Sequence, residues 1–408
     1  MKMKDVMKSS VTAMVAAMMG AVALPATAAD SLEAAITGGK AGLDLRYRYE
    51  SVDQTGIANK AVASTLRTRL NYATDSYSDV SAFIEFDDVM AFGSANYNDA
   101  TGLASAKTTY PIVADPEGTE VNQAFLSYKG VANTTLKFGR QRVIFDNARF
   151  IGNVGWRQNE QTYDAFTVAN TSLKDTAIVY GYVTNVNTIF GEESAKGNID
   201  TETHLINVAY SGLAVGELSA YGYFLDLINA PTTSNSTLGL RFAGGTKVSD
   251  AVKAIYTVEY ATQSDYKDGA STIDADYNLI ELGAEFSGVT AMLGYEVLGF
   301  GASAFSTPLA TLHAFNGWAD KFLATPTNGL VDTYLSVEGK VADVKLQAVY
   351  HDFAADAGGA SYGDEIDLMA MKKFGKHYSL MAKYASYSAD TTATTDTDKM
   401  WLMGQAQF

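Results

Sequence analysis

Residues 43–50 read Leu-Asp-Leu-Arg-Tyr-Arg-Tyr-Glu. Leu43, Leu45, Tyr47 and Tyr49 fall on one face of an extended chain. Asp44, Arg46, Arg48 and Glu50 fall on the other, a period of two with one apolar and one charged side. The next segment repeats it, with Leu66, Thr68, Leu70 and Tyr72 against Arg67, Arg69 and Asn71. Further on, Val80, Ala82, Ile84 and Phe86 oppose Ser81, Glu85 and Asp87, and Val252, Ala254, Tyr256, Val258 and Tyr260 oppose Lys253, Thr257 and Glu259. Near the end, Tyr378, Leu380, Ala382 and Tyr384 oppose Ser379 and Lys383. A soluble sandwich alternates in the same way, so the pattern alone leaves two architectures open.

The connections separate them. Strands are expected at 41–50, 63–73, 80–88, 121–129, 134–142, 163–170, 176–186, 203–210, 217–226, 236–243, 252–263, 277–286, 289–298, 330–339, 344–353, 364–372, 378–387 and 397–408. Gaps after odd-numbered strands are long, clearest at 89–120, 143–162, 187–202, 264–276 and 299–329. Gaps after even-numbered strands are short, as at Thr74–Asp79, Gly130–Asn133 and Ser287–Gly288. Long loops at one end and tight turns at the other are the layout of an outer-membrane barrel. The predicted fold class is therefore all-β: a transmembrane antiparallel up-and-down β-barrel of 18 strands, with short periplasmic turns and long extracellular loops. The segmentation over 163–226 also admits 16. Tyr47, Tyr49, Tyr72, Phe86, Tyr128, Phe138, Tyr260, Phe286 and Tyr295 stand near strand ends, as aromatic girdles at the two membrane interfaces require. The last segment alternates up to Phe408, like the C-terminal strand read by the barrel-insertion machinery of Gram-negative bacteria, an expected partner alongside outer-membrane lipid and lipopolysaccharide.

The start of the chain reads as an address. Lys2, Lys4 and Lys8 form a basic region, Val11 to Leu24 an apolar one, and Pro25-Ala26-Thr27-Ala28-Ala29 a small-residue cleavage site. Residues 1–29 are expected to be a cleaved secretory signal and 30–408 a single barrel domain. The sequence carries 30 basic and 46 acidic residues, a net charge of -16; without residues 1–28 it carries about -18. Such a polyanion repels nucleic acid. There is no Cys and there are four His, which removes thiolate metal sites and cysteine nucleophiles and leaves little for other metal or triad chemistry. No metal or cofactor is expected.

Eight of the nine Arg lie between 46 and 157. Arg46 and Arg48 ascend one polar face while Arg67 and Arg69 descend the next, so antiparallel pairing predicts a compact basic patch in the lumen. Arg suits a fixed patch because its fork binds carboxylate or phosphate in two places and stays charged. Charged rings of this kind set the selectivity of pores. Wall-bracing pairs with Glu50, Glu85 or Asp87 are the bland alternative for the same residues. Lys137 and Gln141 share the lumen parity, as do Arg241, Glu259, Glu281 and Glu285 in the second half; Glu296, Asp332 and Glu338 extend that acidic set. A basic wall opposite an acidic one would orient dipolar solutes. Arg140 has lipid parity and is expected above the membrane or on a bulge. Polar residues interleaved with Gly and an aromatic mark loops that fold inward and narrow the lumen: Asp115, Glu117 and Glu120 in 89–120, and Arg142, Asp146, Asn147, Arg149, Trp156, Arg157 and Gln158 at or in 143–162. An exposed outer cap is the alternative.

Three stretches carry a resemblance. They are Val113-Ala114-Asp115-Pro116-Glu117-Gly118-Thr119-Glu120-Val121-Asn122-Gln123, then Phe138-Gly139-Arg140-Gln141-Arg142 with the 146–161 segment that follows, and His313-Ala314-Phe315-Asn316-Gly317-Trp318-Ala319-Asp320-Lys321-Phe322. Together they resemble the alginate-export-like family of Gram-negative outer-membrane porins, most strongly over 41–165 and 310–335. The resemblance implies a monomeric barrel, commonly of 18 strands, with a narrow charged lumen; it carries over no alginate-specific residue. The expected function is passive diffusion of small hydrophilic, anionic or carbohydrate-like solutes across the outer membrane. A structural or adhesive barrel working through its extracellular loops is the alternative. Enzymatic readings fail on context. Gly359-Ala360-Ser361-Tyr362-Gly363 matches the nucleophile-elbow pattern, but in a Gly-rich loop rather than a strand-to-helix turn. The acidic 264–276 loop lacks the spacing of a calcium loop.

Overall fold

The computed structural model describes residues 28–103 and 106–408. All but the last two residues of the expected signal peptide lie outside the described residues. A short helix, α1 (Leu32–Thr37), capped by the Ser31 side chain on the Ala34 amide, precedes the strands. Eighteen strands follow: β1 (Lys40–Gln54), β2 (Ala61–Ala73), β3 (Val80–Asn96), β4 (Gly118–Tyr128), β5 (Thr134–Gln141), β6 (Thr162–Asn170), β7 (Thr176–Asn187), β8 (Asn198–Leu213), β9 (Gly216–Leu225), β10 (Asn235–Lys247), β11 (Val252–Asp265), β12 (Asp274–Phe286), β13 (Val289–Leu298), β14 (Leu330–Val341), β15 (Val344–Ala354), β16 (Ser361–Phe374), β17 (Tyr378–Ala389) and β18 (Thr397–Gln407).

Each strand pairs antiparallel with its sequence neighbours, and β1 pairs with β18 from Asp44↔Gln407 to Gln54↔Thr397, which closes the ring. Closure satisfies every strand edge internally, the condition for β-structure in hydrocarbon. The strand count is 18, not 16. The alternating sequence then sorts itself by solvent. Leu70, Leu240, Leu282 and Leu293 are more than half exposed on the outer wall, while Arg67, Glu85, Glu259 and Asp367 on the opposite parity are buried. Exposed apolar side chains outside and buried charges inside invert a soluble protein, as lipid on the outer wall requires.

The tight turns lie at one end. Ser287–Gly288 and Ala342–Asp343 hold φ values of 51 and 79, and 48 and 64, the left-handed pair of a type I′ hairpin whose twist matches its strands. At the other end lie the long loops. The loop after β3 (L2) spans 97–117, shorter than expected because β3 runs on to Asn96. L3 (142–161), L4 (188–197) and L7 (299–329) fall within a few residues of the expected gaps.

Candidate functional site: a loop-filled lumen

L3 and L7 fold into the barrel and build a hydrophobic core there. Val143, Phe145, Phe150 and Ile151 of L3 and Phe305, Leu309, Ala319 and Phe322 of L7 pack against inward-facing Tyr221, Tyr223, Tyr277, Tyr387 and Trp401 of the wall. The Phe150 ring lies 5.3 Å from Tyr221, 5.2 Å from Tyr277 and 5.9 Å from Phe305. Such offset and edge-on aromatic contacts add to the area buried. The outer-cap alternative for 143–162 is thereby set aside.

The arginine patch holds L3 in place. Register sets Arg46 directly opposite Arg67, with Arg48 beside Thr65 and Arg69 beside Asp44. Arg46 donates to Gln158 Oε1 at 2.9 Å, to the Gly155 carbonyl at 2.9 Å and to the Arg157 carbonyl, all neutral acceptors. Arg48 donates to the Trp156 carbonyl, lies over the Trp156 ring at 4.3 Å and pairs with Asp115 at 3.2 Å. Arg67 pairs with Asp44 at 2.9 Å. Arg69 forks onto Asp87 with two bonds of 2.5 Å and reaches Glu160 at 3.2 Å and Glu85 at 3.7 Å. Gln158 returns a bond to Thr65 Oγ1 at 2.9 Å. The basic patch and the wall-bracing contacts are thus parts of one network. The four guanidinium groups form the expected patch, and they spend most of their donors on the constriction loop and on nearby carboxylates.

L3 answers with its own charges. Arg157 bridges Glu50 at 3.0 Å and Asp320 of L7 at 3.2 Å, and Lys399 reaches Asp320 at 2.6 Å. Arg142 reaches Glu85 at 2.7 Å and contacts Glu160. Arg149 pairs with Glu296 at 2.7 Å and donates to Asn316 at 3.0 Å. Asp146 accepts from Asn207 at 2.7 Å, and Asn147 lines the lumen below. Burial alone would push the Asp115 carboxyl up; Arg48, Arg157 and the Gln158 amide outweigh it and hold it below the usual carboxylate range. Glu160 is likewise held well below its ordinary value, Arg142 and Arg69 outweighing burial.

The remaining expected residues divide. Lys137 is buried over the Phe125 ring at 4.6 Å, and Gln141 donates to the Ala165 carbonyl at 3.0 Å. Arg241 pairs with Glu259 at 3.0 Å, and Glu281 accepts from Tyr334 at 2.8 Å. Glu285, next to the end of β12, stands near the periplasmic turn and away from the network. Glu117 and Glu120 do not enter the lumen with Asp115. Exposed Glu117 accepts from the Ala91 amide at 2.8 Å and Glu120 from the Glu192 amide at 2.7 Å, so both brace the extracellular rim. Arg140 sits at that rim too, 2.9 Å from Asp164 and 3.2 Å from Glu192, as its parity demanded.

L7 was not among the expected site residues, yet it divides the lumen. Above it, at the loop end, lies a cavity of about 680 Å³ whose charged lining is Arg157, Lys196, Lys321, Lys399 and Asp320. Burial, with Lys399 nearby, pulls the Lys321 ammonium down to about 8. Below it lies a cavity of about 310 Å³ lined by Glu281, Glu296, Asp332, Glu338 and His351. Leu312, His313, Ala319, Asp320 and Lys321 face the upper cavity, and Phe315, Asn316 and Trp318 the lower one. The segment 312–321 is therefore a strap between a basic chamber and an acidic one. Its dense polar and aromatic residues were the available signal, the same signal that marked L3. Among the described residues no cluster suits a metal ion.

A closed 18-stranded barrel with inward loops and charged chambers defines an outer-membrane porin fold. Residues 39–296 match the family described as alginate export, and the chain belongs to that family. The match takes in the first region of strong resemblance and stops short of 310–335. Among solved structures, Acinetobacter baumannii OccAB2 is 15% identical over 92% of this chain and 99% of its own, with a TM-score of 0.73. Pseudomonas aeruginosa OccD3 (OpdP) is 15% identical over 95% of each chain, at 0.68. Pseudomonas aeruginosa OpdK, solved with vanillate, is 13% identical over 91% and 99%, at 0.69. At such identities these share the fold. No curated protein matches the chain in sequence.

Proposed function

We propose that this porin passes small hydrophilic anions by passive diffusion, through a channel that L3 and L7 narrow and whose selectivity is set at the basic chamber. The observation that carries the reading is that chamber: four cations, Arg157, Lys196, Lys321 and Lys399, against the single carboxylate of Asp320. Fixed positive charge at a low-dielectric mouth concentrates anions ahead of the constriction. Arg46, bonded to neutral acceptors of L3, adds a positive charge beside that loop. The chain acts as a channel and not as an enzyme. Residues 1–29 serve as a cleaved signal and 30–408 as the barrel, which Phe408 presents to the insertion machinery.

Single-channel conductance of the refolded 30–408 chain in planar bilayers tests this, with reversal potentials in asymmetric KCl. The expected result is steady conductance with anion preference, weakened by Lys196→Gln combined with Lys321→Gln. Cation preference would transfer selectivity to the acidic chamber. A folded barrel that carries no current would sink the channel reading.

A further inference from the structure

Trp156, Trp318 and Trp401 are all the tryptophans of the chain, and they converge on one ammonium. Lys383 Nζ, on the lumen parity of β17, lies 3.6 Å from the Trp318 ring centre, 4.2 Å from Trp156 and 5.5 Å from Trp401. Trp156 belongs to L3, Trp318 to L7 and Trp401 to β18, where register sets it directly opposite Lys383. His313 of L7 stacks on Trp156 at 4.5 Å and accepts from Lys383 through Nε2 at 2.8 Å, its Nδ1 facing Asp320 at 2.7 Å. The Trp156 and Trp401 indole nitrogens are buried without a hydrogen-bond partner among the described residues, so both indoles contribute their faces rather than their N–H groups.

We propose that Lys383 is the positioning residue that keeps L3 and L7 inside the lumen, its ammonium filling an aromatic box to which the wall and both loops each contribute. Cation–π attraction grows when the cation is desolvated, and Lys383 is buried. An ammonium at this point attracts Trp156 and Trp318 together while hydrogen-bonding His313. An apolar side chain of equal length would fill the space but supply neither the quadrupole attraction nor the proton for His313. The box is an ammonium site occupied by the chain itself, so truncating the lysine opens a site for a small alkylammonium ion.

The test compares the refolded 30–408 chain with Lys383→Ala and Trp318→Leu. Heat-modifiable gel mobility reports the barrel, near-ultraviolet circular dichroism and tryptophan emission report the box, and planar bilayers report the pore. In Lys383→Ala the barrel remains folded, the tryptophan dichroism is lost, emission shifts to the red and conductance rises at least twofold. Millimolar n-butylammonium restores the dichroism and the smaller conductance in that variant, while n-butanol does not. Trp318→Leu, which leaves the wall intact, releases the loops without being rescued. Unchanged tryptophan signals and conductance in Lys383→Ala would overturn the proposal, as would rescue by butanol as well as by butylammonium. If Lys383→Ala does not form a barrel, an unchanged Trp318→Leu overturns it equally. The inference rests on the channel reading for its conductance arm alone. A wild-type barrel without current, whose tryptophan signals respond as described, would fail the channel reading and leave the box standing.

Discussion

The lumen residues Arg46 and Arg69 were indistinguishable in the sequence, since period-two parity reports only the face on which a side chain lies. Their partners separate them. Arg69 is forked onto Asp87 and touches Glu85 and Glu160, so its removal strands buried carboxylates. Breaking one side of a buried pair costs about 3–5 kcal/mol, because the remaining charge is left uncompensated. Arg69→Ala is therefore expected to lower the urea midpoint of barrel unfolding, followed by gel mobility in lipid vesicles, with Arg142 shielding Glu85 and Glu160 toward the lower end of that range. Arg46→Ala loses hydrogen bonds to neutral groups of L3 and costs about 1–3 kcal/mol. It leaves no carboxylate stranded among its bonded partners and removes one positive charge, so its clearer signature is a reversal potential moved toward cation preference. If both variants shift stability and selectivity alike, the division between bracing and field-setting arginines is wrong. Parity also placed Lys383 on the polar side, but nothing in the local pattern announced that three tryptophans from 156, 318 and 401 would meet there; that depends on how two loops fold.

At the scale of elements, alternation located all 18 strands, and its largest error shows what it reads. β3 was expected to stop at residue 88, yet the strand continues past Asp87-Asp88 to Asn96. Asp87 keeps the inward parity and binds Arg69, and outward Asp88 accepts from Thr119 Oγ1 at 2.5 Å. The parity survives through exposed Met90 and Phe92; only the hydrophobicity lapsed, for one residue. Loops lack such a period, so L7 was measured correctly as a long gap while its inward course went unread. That course depends on the strap's left-handed corner, where Asn316, Gly317 and Asp320 have φ values of 54, 81 and 59. A side chain on Gly317 would run into the Glu365 carboxylate, and the Trp318 and Ala319 amides donate to Asp367 at 3.1 Å and Glu365 at 2.7 Å. Gly317→Ala combines a disfavoured φ with that collision, at a cost of about 1–3 kcal/mol. The expected outcome is a folded barrel whose L7 becomes cleavable by added protease within 312–321. Resistance equal to the wild type would mean that the strap is held elsewhere.

Over the whole molecule, ring closure turns local charge patterns into an arrangement. β1 and β2 stand nine strands from β10 and β11, so the arginine patch faces the wall that begins the acidic set, as the two halves of the sequence suggested. The sequence held no measure of depth along the pore, which is why the second polarity, basic above the strap and acidic below, appears only in the folded molecule. The strap between the chambers carries a pH dependence whose direction follows from its charges. Burial, reinforced by Lys383 of β17 and Arg157 of L3, holds His313 well below the usual histidine range despite Asp320 beside it, so the packed imidazole is neutral. Burial would raise Asp320, but the hydrogen bond from His313, with Lys399 of β18 and Arg157, more than offsets it and holds the carboxyl well below its ordinary value. In the released strap both groups regain ordinary values, about 6.5 and 3.9. The released form therefore binds more protons than the packed one over the acidic range, and the packed form begins to lose stability as pH falls below about 6.5 and loses it more steeply below about 3.9. On acidification below about pH 7 conductance is expected to become larger and noisier, in two steps that set in near those values. In His313→Gln the amide oxygen still accepts from Lys383 but cannot titrate, so the upper step disappears and the lower one remains. A wild-type profile flat from pH 7.5 to 4 would place strap release outside the reach of His313, and a variant that keeps the upper step would assign it to another group.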